Sequence, residues 1–189
     1  APYLAWRVRS GYAARLVLVL PPAGRTKPWG FHPGLYGLAP DLTIAVIGSG
    51  TIGLCALLVA RNRSLDPVVV MDPIGEKLER AKSFGGQTVQ LDPSDDPGQI
   101  ACKVEAELGN KPDLVIDAVG IKASFDQAME MVAEGGAILL IGNLAKEVEL
   151  PLQTVVSNEI TLVGTYGFDL RAFQEAVEIL PLIQSQLAT

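Results

Sequence analysis

Histidine and cysteine are scarce in this 189-residue chain, which carries one histidine, His32, and two cysteines, Cys55 and Cys102. With no C-x-x-C pair and no Cys/His cluster, the sequence offers no zinc site of its own and no disulfide framework. His32 lies in the loop from Gly30 to Gly34 with no Cys, Asp or Glu near it, so it is expected at the surface rather than as a ligand or base. Two cysteines fit a reducing compartment, and a cytoplasmic location is expected. Cys55 falls inside an apolar helical segment and is expected as a small core residue. Long apolar runs are also missing. None approaches the ~20 residues of a membrane helix, so no membrane partner is expected. Positive charge is outnumbered, 15 Lys and Arg against 21 Asp and Glu, and the net charge of −6 argues against a nucleic-acid partner. What remains is apolar: 49% of the residues are hydrophobic and only 6% aromatic. Aliphatic residues at that density suit a parallel sheet buried on both faces.

The most informative stretch runs from Thr43 to Asp72, TIAVIGSGTIGLCALLVARNRSLDPVVVMD. Thr43 to Ile47 is a short run rich in β-branched residues. Gly48, Gly50 and Gly53 follow it as G-x-G-x-x-G, ahead of an apolar segment of helical length. Gly48 permits the tight exit from the strand, Gly50 lets a pyrophosphate approach the backbone, and Gly53 lets the helix pack close to the sheet. The free N–H groups and positive dipole end of that helix suit a phosphate. The second strand, Val68 to Met71, ends in Asp72, roughly twenty positions beyond the middle glycine. A carboxylate there accepts hydrogen bonds from an adenosine ribose and repels a 2′-phosphate, which favours NAD over NADP. S-adenosylmethionine-dependent methyltransferases share the glycine turn but usually carry an acidic residue two positions before the first glycine. This chain has Val46 there.

Residues 1–41 differ from the rest. Arg7, Arg9 and Arg15 flank the brief apolar run Leu16 to Leu20, and prolines and glycines from Pro21 to Pro40 break any regular pattern. The run is too short for a secretory signal, and an irregular N-terminal arm, or the remnant of a longer domain, is expected. The second unit, 42–189, alternates strand and helix. Helices are expected over Gly75 to Phe84, Gly98 to Leu108 and Ala123 to Val132, and on the face Phe173, Ala176, Val177 and Leu180 before Pro181. Further strands are expected at Thr88 to Leu91, Leu114 to Asp117, Ala137 to Ile141 and Ile160 to Val163, with a looser stretch before Asn158. The acidic loop Asp92 to Asp96 suits a solvated turn and a helix N-terminus rather than a metal. The fold class is therefore α/β, a doubly wound six-stranded parallel sheet of Rossmann type in the order 3-2-1-4-5-6. A dinucleotide would lie across the strand ends at the switch between strands 1 and 4.

From Thr43 to the C-terminus the chain resembles the NAD-binding domain of zinc-type medium-chain dehydrogenases, particularly the branch that oxidises polyols and threonine. VIGSGTIGLCA, VVVMDPIGEKLERAKSFGG, LVIDAVG, MVAEGGAILLIGN, ITLVGTYGF and ILPLIQS carry the resemblance, in family order. It implies that Thr51 and Ile52 lie under the pyrophosphate and ribose, that Asp72 binds the adenosine ribose with support from Lys77, and that Val119 borders the adenine side. It places Ile141, Gly142, Asn143, Thr165 and Tyr166 near the nicotinamide half. The edge strand Ile160 to Val163 is implied as a homodimer contact. The family takes its zinc ligands from a preceding domain whose final part follows the last helix. Zinc and alcohol substrate are therefore expected only where a catalytic domain completes the site, and no catalytic residue is assigned in this chain. Two functions follow as alternatives: the coenzyme domain of an NAD-dependent alcohol dehydrogenase, or a module that binds or senses NAD(H) without turnover.

Overall fold

Ile44–Ile47 (β1) forms the centre of the sheet, and all four of its residues are buried. The computed structural model describes residues 42–166 and residue 177. The expected arm over 1–41, His32 and the last helix lie outside the described residues, apart from Val177, which is helical and exposed.

Around β1 the other strands stand parallel. They are Val68–Asp72 (β2), Gln87–Gln90 (β3), Leu114–Asp117 (β4), Ala137–Leu140 (β5) and Thr161–Gly164 (β6), in the order β3-β2-β1-β4-β5-β6. The register is regular: Ile44 faces Val68 on one side and Leu114 on the other, and Ile47 faces Met71 and Asp117. The strand expectations hold to within one residue. Both ends of β1 are therefore flanked by corresponding ends of β2 and β4, which brings Asp72 and Asp117 to the same edge of the sheet.

Helices cover both faces. Thr51–Asn62 (α1) and Gly75–Ser83 (α2) follow β1 and β2, while Pro97–Leu108 (α3) and Lys122–Met131 (α4) follow β3 and β4. Alternate strand residues feed two separate cores, because successive side chains point to opposite faces. Ile44, Val46, Val68, Val70, Leu114 and Ile116 pack with Leu57 and Ala60 of α1 and Phe84 beyond α2. Ala45, Ile47, Val69, Met71 and Val115 pack with Ile100 and Val104 of α3 and with Phe125 and Met129 of α4. At its N-terminus α3 carries a full capping box: Asp96 Oδ1 accepts the Gln99 N–H at 2.8 Å, and Gln99 Oε1 accepts the Asp96 N–H at 2.9 Å. The preceding acidic residues form a turn. The Ser94 hydroxyl and N–H both donate to Asp92 and hold its carboxyl below the ordinary range.

Two expectations are corrected. Cys55 is exposed, not a core residue. α1 buries Gly53, Ala56, Leu57, Val59 and Ala60 instead, and position 55 lies off that stripe. The stretch before Asn158 contains a short helix, Leu152–Ser157 (α5), none of whose residues is buried.

Candidate cofactor site

Sequence and sheet order converge on the C-terminal edge of β1. Gly48 leaves the strand with φ +94°, a conformation that side chains disfavour, and its N–H donates to the Met71 carbonyl at 2.8 Å. Gly53 shows why the third glycine is needed: a Cβ there would fall on the Gly48 carbonyl oxygen, so α1 begins directly against the turn. Gly50 is different. Among the described residues, a Cβ on it would meet nothing within 4 Å and no side chain caps the helix, and Gly50 stands in extended backbone as the N-cap of α1. α1 has no acidic residue in its first turn. Its N-terminus thus presents backbone donors and a positive dipole end to open space. The Ser49 hydroxyl between these glycines is buried without a hydrogen-bond partner among the described residues.

Asp72 closes β2 and is 5% exposed. Its Oδ2 accepts the Ser49 N–H at 2.9 Å, and its Oδ1 accepts the Ile74 N–H at 2.9 Å. A carboxylate has about four lone-pair sites, so two remain for further donors. Lys77, in the first turn of α2, is exposed.

Across the switch point, Asp117 closes β4 and is fully buried. Oδ1 accepts the Val119 and Gly120 N–H groups, both at 2.9 Å, and Oδ2 lies 3.0 Å from the Ser124 hydroxyl. Its main-chain carbonyl accepts from Ile141 at 3.0 Å and Gly142 at 2.9 Å. Gly120, at φ +74°, lies so close to Gly142 that a Cβ on either would overlap the other loop's backbone. Val119 is half-buried and touches the glycine turn: a Cβ on Gly48 would come within 2.8 Å of its Cγ2. Gly48, Gly53, Val119 and Gly142 are therefore brought into one contact chain beside Asp72. Thr51, Ile52 and Asn143 are exposed around it, and Ile141 is buried. Thr165 follows β6, buried, with a hydroxyl that has no partner among the described residues, and Tyr166 beyond it is exposed. All these positions stand at the C-terminal strand ends.

Asp117 and Ser124 are the residues that sequence reasoning missed. The signal was modest, an acidic residue ending an apolar strand three positions before a glycine.

A family model described as zinc-binding dehydrogenase matches residues 51–183. Sorbitol dehydrogenase from Homo sapiens is 32% identical over 125 residues, covering 66% of this chain and 35% of that protein. D-xylulose reductase from Scheffersomyces stipitis is 29% identical over 136 residues, covering 72% and 37%. The chain spans about a third of the length of the curated relatives it matches. Among solved structures, alcohol dehydrogenase TADH from Thermus sp. ATN1 matches with a TM-score of 0.64 at 30% identity, covering 78% of this chain and 41% of that one. The short chain alcohol dehydrogenase rspB from E. coli CFT073, complexed with NADH, matches with a TM-score of 0.63 at 26% identity, covering 78% and 42%. The family's description implies zinc, but among the described residues no three His, Cys, Asp or Glu side chains are grouped to hold a metal ion. The Rossmann-type sheet, its glycine turn at the switch point and the family model's match over more than half of the chain together place this protein in the zinc-binding dehydrogenase family.

Proposed function

We propose that residues 42–189 form the coenzyme-binding domain of an NAD-dependent, zinc-type dehydrogenase acting on an alcohol, polyol or threonine-like substrate. NAD supplies the hydride acceptor when bound. The residues present suit it. Gly48, Gly50, Thr51, Ile52 and Gly53 cradle the pyrophosphate at the N-terminus of α1, where the space over Gly50 is open. Asp72, with Lys77 nearby, takes the adenosine ribose, and Val119 borders the adenine side. Ile141, Gly142, Asn143, Thr165 and Tyr166 receive the nicotinamide half. Substrate and metal chemistry belong to the part of the relatives that this chain does not span. The outer edge of β6, which has one neighbour in the sheet among the described residues, is proposed as the contact between two copies. Free cysteines support a reducing, cytoplasmic setting.

The observation that carries this reading is the buried Asp72 carboxylate beside the uncapped glycine turn, an acceptor-only group where a 2′-phosphate would meet like charge. Calorimetric titration of the 189-residue chain with NADH and NADPH tests it. NADH should bind at least about tenfold more tightly than NADPH. Equal affinities, or no binding of either, overturn the reading. Turnover of polyols or threonine by the chain alone would show that it completes an active site without a further domain.

A further inference from the structure

We infer that Asp117, through Ser124 and the loops 118–120 and 141–143, is a positioning residue for the nicotinamide half of the cofactor crevice. This rests on the NAD reading above and goes beyond the glycine turn and the ribose carboxylate.

A fully buried carboxylate is costly unless hydrogen bonds compensate it, and an aliphatic residue would fill the end of a core strand as well. What the carboxylate adds is directional. One oxygen gathers two successive N–H groups, Val119 and Gly120, and turns the chain sharply at Gly120. The other oxygen meets Ser124 in the first turn of α4, and Ser124 Oγ in turn accepts the Ile121 N–H at 3.0 Å. The main-chain carbonyl of Asp117 accepts from the Ile141 and Gly142 N–H groups. The Gly120–Gly142 approach leaves no room for a side chain, so the two loops are held as one surface.

The sheet thus carries two carboxylates, one on each side of β1. Asp72 orders the loops of the first half, through Ser49 and Ile74, and Asp117 orders those of the second. In a doubly wound dinucleotide fold the two halves hold the two mononucleotides. Losing Asp117 frees both loops, so it should damage the nicotinamide half most and the adenine side, which Val119 borders, less.

The test titrates the 189-residue chain and its D117A, D117N and S124A variants with NADH and with ADP-ribose, which lacks nicotinamide, and records bound-NADH fluorescence. D117A should lose at least about tenfold in NADH affinity and change less than about threefold for ADP-ribose. D117N should recover to within about threefold, because its amide oxygen can accept both loop N–H groups while its NH2 donates to Ser124. Unchanged NADH binding by D117A overturns the inference. So does an equal loss of both ligands that D117N fails to rescue, since that marks a general structural role. If D117A does not fold, S124A decides: a roughly threefold loss for NADH alone supports positioning, and no loss overturns it. A wild-type chain that binds neither ligand overturns the NAD reading itself.

Discussion

The Asp72 carboxylate accepts the Ser49 backbone N–H at 2.9 Å, across the gap between the end of β2 and the glycine turn after β1. The group that faces the ribose in the proposed complex is also the group that fixes the turn facing the phosphates. Cofactor choice and loop order are coupled in one side chain.

Replacing Asp72 with Ser should weaken NADH and relatively favour NADPH. It should also leave the Ser49 and Ile74 N–H groups short of an acceptor, at a cost of about 1–3 kcal/mol in stability. Titration with both cofactors and denaturant unfolding check the two parts separately. A lost cofactor preference with unchanged stability would show that the turn does not depend on the carboxylate.

The glycines should divide by consequence. Gly50→Val places its side chain in open space and should leave stability within about 1 kcal/mol while abolishing measurable NADH binding. Gly53→Ala drives a methyl into the Gly48 carbonyl and should cost about 3 kcal/mol or more. Thermal unfolding read beside calorimetry distinguishes them, and a stable Gly53→Ala protein would contradict the close approach.

The opposite end of the sheet should matter for stability alone. There Thr43 Oγ1 donates to Asp113 Oδ2 at 3.1 Å and accepts the Asp113 N–H at 3.2 Å. Thr43→Val should destabilise by about 1–2 kcal/mol and leave NADH affinity unchanged, because the crevice lies at the other strand ends.

Cys55 should alkylate slowly despite its exposed position. Partial burial of the thiol pushes its pKa up, which lowers the thiolate fraction at neutral pH and raises it only as pH rises. Mass-spectrometric labelling with iodoacetamide from pH 7 to 10 should show the Cys55 rate climbing to a midpoint above that of an unstructured cysteine peptide.

Legibility in the sequence followed the strength of local pattern. α4 was readable because Phe125, Ala128, Met129 and Val132 recur at helical spacing, and all four are buried. α1 was readable as a helix but not by face: TIGLCALLVARN is apolar on nearly every side, so nothing separated Cys55 from Leu57. α5 left no trace because six residues with adjacent β-branched Val155 and Val156, of which Val155 alone packs half-buried on the core, are too short for an amphipathic signal.

The sequence by itself determined the parallel sheet and its order, since buried aliphatic strands alternating with helices and right-handed crossovers admit few arrangements. It also determined the glycine turn and the acidic end of β2, because both are fixed by spacing along a single unit. Only the tertiary structure decided what Asp117 does. Its donors from 119, 120 and 124 lie near in sequence, but the contact that gives them meaning, Gly120 against Gly142, joins two strand ends that meet only when β4 and β5 pair. A hydrogen-bonded carboxylate and a missing Cβ become informative when the sheet brings two loops within contact distance, and no local pattern in the chain encodes that distance.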